Sequence, residues 1–373
     1  MKAMIMAAGL GTRLMPLTEL TSKPTVPVAN RPVMEHIVAL LARHGVLDLA
    51  ANLHYHPDEI RRHFGDGEAF GVRLRYVFEL ELSGTAGGVG RFREFLGDGT
   101  FLVMSGDSLT DIDLTALLAA HREHGGVCTM AVKSVDDPSL YGVVVHDDRD
   151  RVTGFQEKPR RAEARSNLCN CGIYVFEPRI FDYIPAGGFV DFAKDVFPAM
   201  MADDVPFHVW RVGSYWNDIG SLDVYRWGNF DALNGGVAVD LPGREVRPGI
   251  RIADGARIAD DAVLAPPVLV GSGCLVEPGA RLVGPVVLGD ECRVAAGASI
   301  DRSIVWAGTS IGATATVRGS ILGRRVLVGG RAQIGPDAVV GDGSQVAAGA
   351  VVDAGARVPA GSDVQAGPAG PAA

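Results

Sequence analysis

Two glycines and two cations stand close together near the start of the chain. Gly9 and Gly11 follow Lys2-Ala-Met-Ile-Met-Ala7, an apolar run of buried-strand length, and Thr12 and Arg13 come directly behind. A buried strand that ends in a glycine-rich turn leaves the backbone N–H groups from Ala8 to Thr12 bare where phosphates can approach. Arg13 adds a planar cation with several donors, suited to phosphate oxygens. Lys23 lies further on, in a segment that Pro16, Pro24 and Pro27 stiffen, so a second cation can be held in one place. These residues read as a triphosphate cradle with two cations. The glycines alone do not carry that reading. Leu14 stands where the dinucleotide fingerprint needs its third glycine, no P-loop pattern occurs, and an ordinary tight turn with solvated Arg and Lys would look the same.

A carboxylate is available for the same site. Ser105-Gly106-Asp107 follows the apolar run Phe101–Met104. Mg²⁺ typically takes one or two carboxylates together with phosphate oxygens, so Asp107 is a natural ligand there. Asp111 and Asp113 suit the capping of the next helix better.

These residues need a scaffold, and the first 230 or so residues supply one pattern for it. Helical spacing runs over Met34–His44, Asp58–Phe64 and Gly88–Phe95, alternating with strand-like runs at Leu47–Leu53, Leu74–Phe78 and Phe101–Met104. Such alternation predicts an α/β, Rossmann-like domain with a mixed, mostly parallel sheet and helices on both faces. Ligands of such sheets bind at the carboxyl ends of the strands.

The string Gly9-Leu-Gly-Thr-Arg-Leu-Met-Pro-Leu-Thr18, continued by Lys23-Pro-Thr-Val-Pro-Val28, resembles the N-terminal signature of the sugar-nucleotide pyrophosphorylases, with Ser22 in place of the usual proline. The likeness runs to about residue 232 and is nearest to the mannose-1-phosphate guanylyltransferases. It implies the reaction NTP + sugar 1-phosphate → NDP-sugar + pyrophosphate. Arg13 would hold the β- and γ-phosphates and Lys23 the leaving pyrophosphate. Glu79 to Gly88, with Gly84-Thr85-Ala-Gly, resembles the family's base-contacting segment, although Leu82-Ser83 replaces Pro-Leu. Gly142 would leave room for the sugar, Glu157 and Asn170 would hold its hydroxyls, and Lys158 its phosphate. Asp218, in Tyr215-Trp-Asn-Asp-Ile-Gly220, matches the second metal carboxylate, so Asp107 and Asp218 together would hold one Mg²⁺. Family members that use UTP or dTTP generally carry Gln where Glu79 stands. A carboxylate only accepts hydrogen bonds and suits the paired N–H donors of guanine, so Glu79 predicts GTP over UTP and dTTP. The alternatives are a glucose-1-phosphate thymidylyl- or uridylyltransferase, or a regulatory subunit that senses a nucleotide-sugar without making it.

Composition agrees with a two-domain globular chain. There are 373 residues with 47% hydrophobic content, and the net charge of −9 argues against a nucleic-acid surface. The five cysteines form no disulfide framework, Cys169 and Cys171 lack a second pair for a metal site, and a reducing cytoplasm is the expected compartment. No apolar run is long enough to span a membrane, and the short N-terminal run is not a signal peptide.

Residues 233–248, rich in Gly and Pro, read as a linker. From 249 to 361 aliphatic residues recur every six positions, from Ile252 through Ile258, Leu264 and Val270 to Ile300, and again from Val328 to Val358, with two five-residue slips near Ile311 and Leu322. This is the hexapeptide repeat of a parallel β-helix, left-handed in the family it resembles. Such a solenoid tends to stack on a partner, which predicts a homo-oligomer built through it. Some relatives use this fold as an acetyltransferase, but that chemistry needs a base, usually His, and the histidines end at His208. Removing the chain after about Leu241 should then change assembly more than chemistry. Residues 362–373 read as a disordered tail.

Overall fold

The computed structural model describes residues 1–366, and the chain divides into two units. The first comprises residues 1–10 and 33–218; the second comprises 11–32 and the chain from 219 onward.

In the first unit, β1 (Lys2–Met6), β2 (Asp48–Leu53), β3 (Arg73–Phe78) and β4 (Phe101–Ser105) form a parallel half-sheet with β1 between β2 and β4. Alternate residues of β1 serve two cores. Ala3 and Ile5 pack with Met34, Ile37 and Leu41 of the helix Val33–Arg43, and Met4 packs with Val89, Phe92 and Phe101 on the opposite face. β5 (Leu109–Thr110) comes next, followed by the helix Leu114–His124, whose N-terminus Asp113 caps by accepting from Ala116 N at 3.0 Å. The other half of the sheet is antiparallel except at its β10 edge. β6 (Cys128–Ser134) and β9 (Leu168–Phe176) pair with each other, β9 also joins β4, and β7 (Gly142–His146) with β8 (Val152–Glu157) makes a hairpin on its far side. β10 (Phe207–Arg211) returns parallel to β6, and β11 (Trp216–Asn217) pairs with β5. The sheet is mixed, as expected, with parallel pairs among β1 to β4 and between β6 and β10. After the helix Leu114–His124 the pairs are antiparallel apart from β6 with β10, and β7 and β8 are joined by the short connection that a hairpin allows.

The helix expected over Gly88–Phe95 is instead two pieces, Gly84–Gly90 and Arg93–Leu96. The glycine-rich first piece is held by tertiary contact rather than propensity, since Ala86 N and Gly87 N both donate to Val190 O at 3.0 Å.

In the second unit the six-residue period becomes three parallel ladders of the left-handed β-helix type. Inward residues stack coil upon coil, as in Leu264 on Leu282 and Val270 on Leu288, and are buried. The period shortens at Ile300–Val305 and Val317–Leu322, where coils pair seventeen residues apart, as in Ile300 with Val317. Both shortened corners carry a buried serine that closes the turn. Ser303 Oγ donates to Asp301 O and Ser320 Oγ to Arg318 O, each at 2.7 Å, while Ser320 N donates to Ser303 Oγ. The glycines after the inward positions are required by close approach: a Cβ on Gly289 would lie 2.5 Å from Ala307 N of the next coil.

Three boundaries differ from those read in the sequence. The segment expected to be a linker carries the strand Arg244–Arg247, paired with Ile250–Ile252. The ladder runs past 361, with Asp363–Val364 on Gln345–Val346, and 367–373 of the expected tail lie outside the described residues. Residues 11–32 group with the solenoid, as does the helix Leu222–Leu233, although all were expected to belong to the nucleotide-binding domain. No helix among the described residues is long and apolar enough to cross a membrane.

Candidate functional site

In the first unit the sequence candidates gather at the carboxyl end of the central strands. Gly106 N donates to Met6 O at 2.9 Å, and a Cβ on Gly106 would meet Ile5 Cγ2 at 2.8 Å, so the turn carrying Asp107 packs directly on the end of β1. Ala7, Ala8 and Gly9 continue from that strand end, with Gly9 exposed and open space where its Cβ would be. Ser105 Oγ donates to Asp107 Oδ1 at 2.6 Å.

Asp218 is brought to the same place by a route the sequence did not show. β11 pairs with β5 in the register Asn217 to Leu109, which sets Asp218 beyond one end of the ladder just as Asp107 precedes the other strand. Thr110 Oγ1 donates to Tyr215 O at 2.7 Å and Tyr215 N to Asp111 Oδ1 at 2.8 Å, so Asp111 locks this ladder instead of capping a helix. β9 closes in as well. Trp216 Nε1 donates to Cys171 O at 3.1 Å, and a Cβ on Gly172 would lie 3.2 Å from Ser105 Cβ. Burial, first, and then its bonded neighbour Cys169 push the Cys171 thiol up, and the charge of Asp218 lies near enough to add to the effect. All five cysteines are buried free thiols.

The donor set fits Mg²⁺. Among the described residues no group of three or more His, Cys, Asp or Glu could hold a metal, and two hard carboxylates beside the glycine-rich turn would suit an ion completed by phosphate oxygens and water.

The sugar-side candidates lie on the β7–β8 hairpin and on β9. Gly142 pairs with Glu157, and a Cβ on Gly142 would meet Phe155 Cζ at 2.6 Å and Glu157 Oε2 at 3.2 Å. Lys158 takes a positive φ of 44°, its N–H donates to Tyr141 O at 3.1 Å, and its Nζ is 3.4 Å from Glu157 Oε1. That backbone conformation is strained for a lysine, while the side chain itself is 56% exposed. Asn170 shapes a bulge in β9: its Oδ1 accepts from Gly172 N at 2.9 Å and its Nδ2 donates to Tyr174 Oη at 2.6 Å.

The base-side candidates are the ones whose surroundings differ most from expectation. Glu79 is 1% exposed. Its Oε1 accepts from Asn52 Nδ2 at 2.8 Å, and its Oε2 accepts from Ser83 N at 2.9 Å and Ser83 Oγ at 2.6 Å. Asn52 Oδ1 in turn accepts from Ala7 N at 2.9 Å, and Arg91 Nε donates to Ser83 Oγ at 2.9 Å. The Glu79 carboxylate therefore ties the loop 79–83 to the turn after β1 and is spent on that task, rather than held out to a base. Gly84, with a φ of 80°, lets its loop dock, since a Cβ there would lie 2.3 Å from Val190 O. The Thr85 hydroxyl donates to Asp191 Oδ2 and accepts from Phe192 N, each at 2.9 Å. Asn52, Ser83 and Arg91 escaped the sequence reading. An asparagine near the end of the apolar run Leu49–Leu53 was the one available signal.

In the second unit, Gly11 has a φ of 66° and Thr18 Oγ1 donates to its carbonyl at 2.8 Å. A Cβ on Gly11 would meet Lys23 Cβ at 3.0 Å, so Gly11, Thr18 and Lys23 form one compact knot. Thr12 and Arg13 are exposed on it, whereas Lys23 is only 8% exposed.

Both parts of the chain are similar to known proteins. The nucleotidyl transferase family model matches residues 2–234, and the model of the GMPPB C-terminal domain matches 282–362. A UTP–glucose-1-phosphate uridylyltransferase of Synechocystis is 37% identical over 84% of this chain and 85% of its own. A mannose-1-phosphate guanylyltransferase of Mycobacterium tuberculosis is 35% identical over 75% of this chain and 77% of its own. Among solved structures, a glucose-1-phosphate thymidylyltransferase from Bacillus anthracis covers 64% of this chain and 97% of its own, with a TM-score of 0.58 and 24% identity, a likeness of fold.

Proposed function

Because the chain belongs to the nucleotidyl transferase family, as a sugar-1-phosphate nucleotidyltransferase, we propose that the pair it joins is GTP and mannose 1-phosphate, giving GDP-mannose and pyrophosphate. The observation that carries the chemistry is the β5–β11 pairing, which sets the Asp107 and Asp218 turns side by side at the end of the central strands. Support for the guanylyl reading comes from the C-terminal family match and the mycobacterial relative. A second reading, UTP with glucose 1-phosphate, is favoured by the Synechocystis relative. Turnover of five NTPs against mannose, glucose, galactose and N-acetylglucosamine 1-phosphates decides between them. Preference for UTP with glucose 1-phosphate overturns the first.

A sugar phosphate oxygen is already a nucleophile, so the protein supplies position and charge. Glu157 and Asn170 hold the sugar, and Lys158 aims its phosphate at the α-phosphorus for in-line attack. The turn 8–12 and Arg13 hold the β- and γ-phosphates. Asp107 and Asp218 would hold Mg²⁺, which neutralises charge on the phosphate oxygens. Lys23 meets the charge that builds on departing pyrophosphate. The reaction belongs in the cytoplasm, and the β-helix joins copies of the chain. Exposed Leu327 and Val351, on two different faces of the solenoid, leave apolar surface for that assembly, and sedimentation of the full chain tests it.

Lys23→Ala is expected to lower kcat by about a hundred- to a thousandfold, the usual loss for one contact to developing charge, with a smaller change in KM. A change confined to KM would make Lys23 a ground-state binder.

A further inference from the structure

The repeat domain was expected to serve assembly alone, yet it makes polar contacts, buried or partly buried, with the segment that carries Arg13 and Lys23. Ala360 N donates to Glu19 Oε2 at 2.7 Å, and Asn30 Nδ2 donates to Leu288 O at 2.8 Å. Between these two ties lies a third. Arg324 Nη1 donates to Thr21 Oγ1 at 3.0 Å, and Thr21 Oγ1 lies 3.5 Å from Asp342 Oδ2. Thr21 is fully buried and Asp342 is 5% exposed. Asp342 also accepts from Arg324 N at 2.8 Å through Oδ1, so the two solenoid residues brace one another across adjacent coils. The corner is built around them. A Cβ on Gly323 would lie 2.3 Å from Asp342 Oδ1, and the Arg324 guanidinium sits 5.5 Å from the centre of the Trp306 ring. Trp306 in turn donates to Tyr225 Oη at 2.8 Å, and Tyr225 donates to Pro27 O at 2.7 Å, beyond Lys23. The segment is thus held on both sides of the lysine by groups drawn from the solenoid and from the helix Leu222–Leu233.

We propose that Arg324 and Asp342 are positioning residues for nucleotidyl transfer: through Thr21 they fix the segment that presents Lys23 to the leaving pyrophosphate. The proposal rests on the reading of Lys23 given above. A solenoid that served assembly alone would have no need to set two charged residues and a tryptophan around this segment. The knot of Gly11, Thr18 and Lys23 transmits the placement, because a shift of Thr21 moves the lysine two residues on. A displacement of about 1 Å in a charge-stabilising group is enough to cost up to about a hundredfold in rate.

The test uses the full chain, pyrophosphate release and the variants Arg324→Ala, Arg324→Lys and Thr21→Val. Thr21→Val keeps the buried volume and removes only the hydroxyl link, so it guards against loss of folding in Arg324→Ala. Melting curves and sedimentation are recorded for each. The expected result is a kcat lowered about ten- to a hundredfold in Arg324→Ala and Thr21→Val, with KM for the NTP changed less than about threefold. Arg324→Lys should recover part of the loss, since it keeps the charge but not the planar fork. In a Lys23→Ala background the same substitutions should cost almost nothing further, because the group they position is gone. Unchanged kcat in both Arg324→Ala and Thr21→Val, or an equal loss with and without Lys23, overturns the proposal. A Lys23→Ala variant with full kcat would instead overturn the reading of Lys23 beneath it.

Discussion

Asp107→Asn and Asp218→Asn are each expected to cut turnover at limiting Mg²⁺ by more than about a hundredfold and to raise the Mg²⁺ concentration needed for half activity. Even removing groups that merely orient a metal ligand costs about ten- to a hundredfold in affinity or activity, and these two carboxylates are the proposed ligands themselves. The fold should tolerate Asp107→Asn. Ser105 Oγ donates to Asp107 Oδ1, and an asparagine oxygen accepts the same bond. The strand pairing that places Asp218 is carried by backbone contacts of β5 and β11 and by Asp111 and Thr110, none of which either substitution removes. The measurement is a Mg²⁺ titration of pyrophosphate release, with circular dichroism as the control for folding. Full activity of Asp218→Asn at limiting Mg²⁺ would take that residue out of the metal site.

Solenoid dependence also revises what truncation should do. A chain ending near Leu241 was expected to keep its chemistry and lose its assembly. The observed contacts of Glu19, Thr21 and Asn30 run to residues 360, 324, 342 and 288, so that truncation strips every one of them from the segment that carries Arg13 and Lys23. The truncated chain should therefore lose turnover along with assembly.

The pattern of what could be read in advance has a physical basis. Local periodicity placed the early strands and the helices Val33–Arg43 and Pro57–Phe64 within a residue or two, because their burial alternates along short segments. It also revealed the β-helix, where a six-residue stack repeats for more than a hundred residues. Side chains whose role is local, such as Asp113 capping its helix, followed as well. The missed features depend on contacts far apart in sequence. Asp111 bonds Tyr215, Thr21 bonds Arg324, and the helix beginning at Gly84 exists because Val190 accepts its first amides. Glu79 shows the same limit in the site itself. Its position resembled that of a base reader, but Asn52 and Ser83, which bury it, carry no mark of that partnership in their local sequence.

Glu79→Gln is accordingly expected to destabilise the first unit without changing the choice of base. Every partner of the Glu79 carboxylate donates to it. Asn52 must present its amide nitrogen, since its oxygen already accepts from Ala7 N, which can only donate. Ser83 N can only donate, and the Ser83 hydroxyl, already accepting from Arg91 Nε, turns its proton toward Glu79. Glutamine has one accepting oxygen and one donating nitrogen. Whichever way the new amide faces, its nitrogen meets either Asn52 Nδ2 or Ser83 N, donor against donor, in a site where Glu79 is 1% exposed. A buried donor left without its acceptor costs about 1–3 kcal/mol. For a unit of this size that corresponds to a fall of roughly 2–12 °C in melting temperature. The GTP-to-UTP ratio of kcat/KM should stay within about threefold of the wild-type value, because a threefold change is worth less than about 1 kcal/mol and no base contact is lost. Kinetics on both nucleotides and a melting curve settle the matter together. A stable variant whose preference swings about tenfold toward UTP would restore the carboxylate as the base reader and show that Asn52 and Ser83 release it when nucleotide binds.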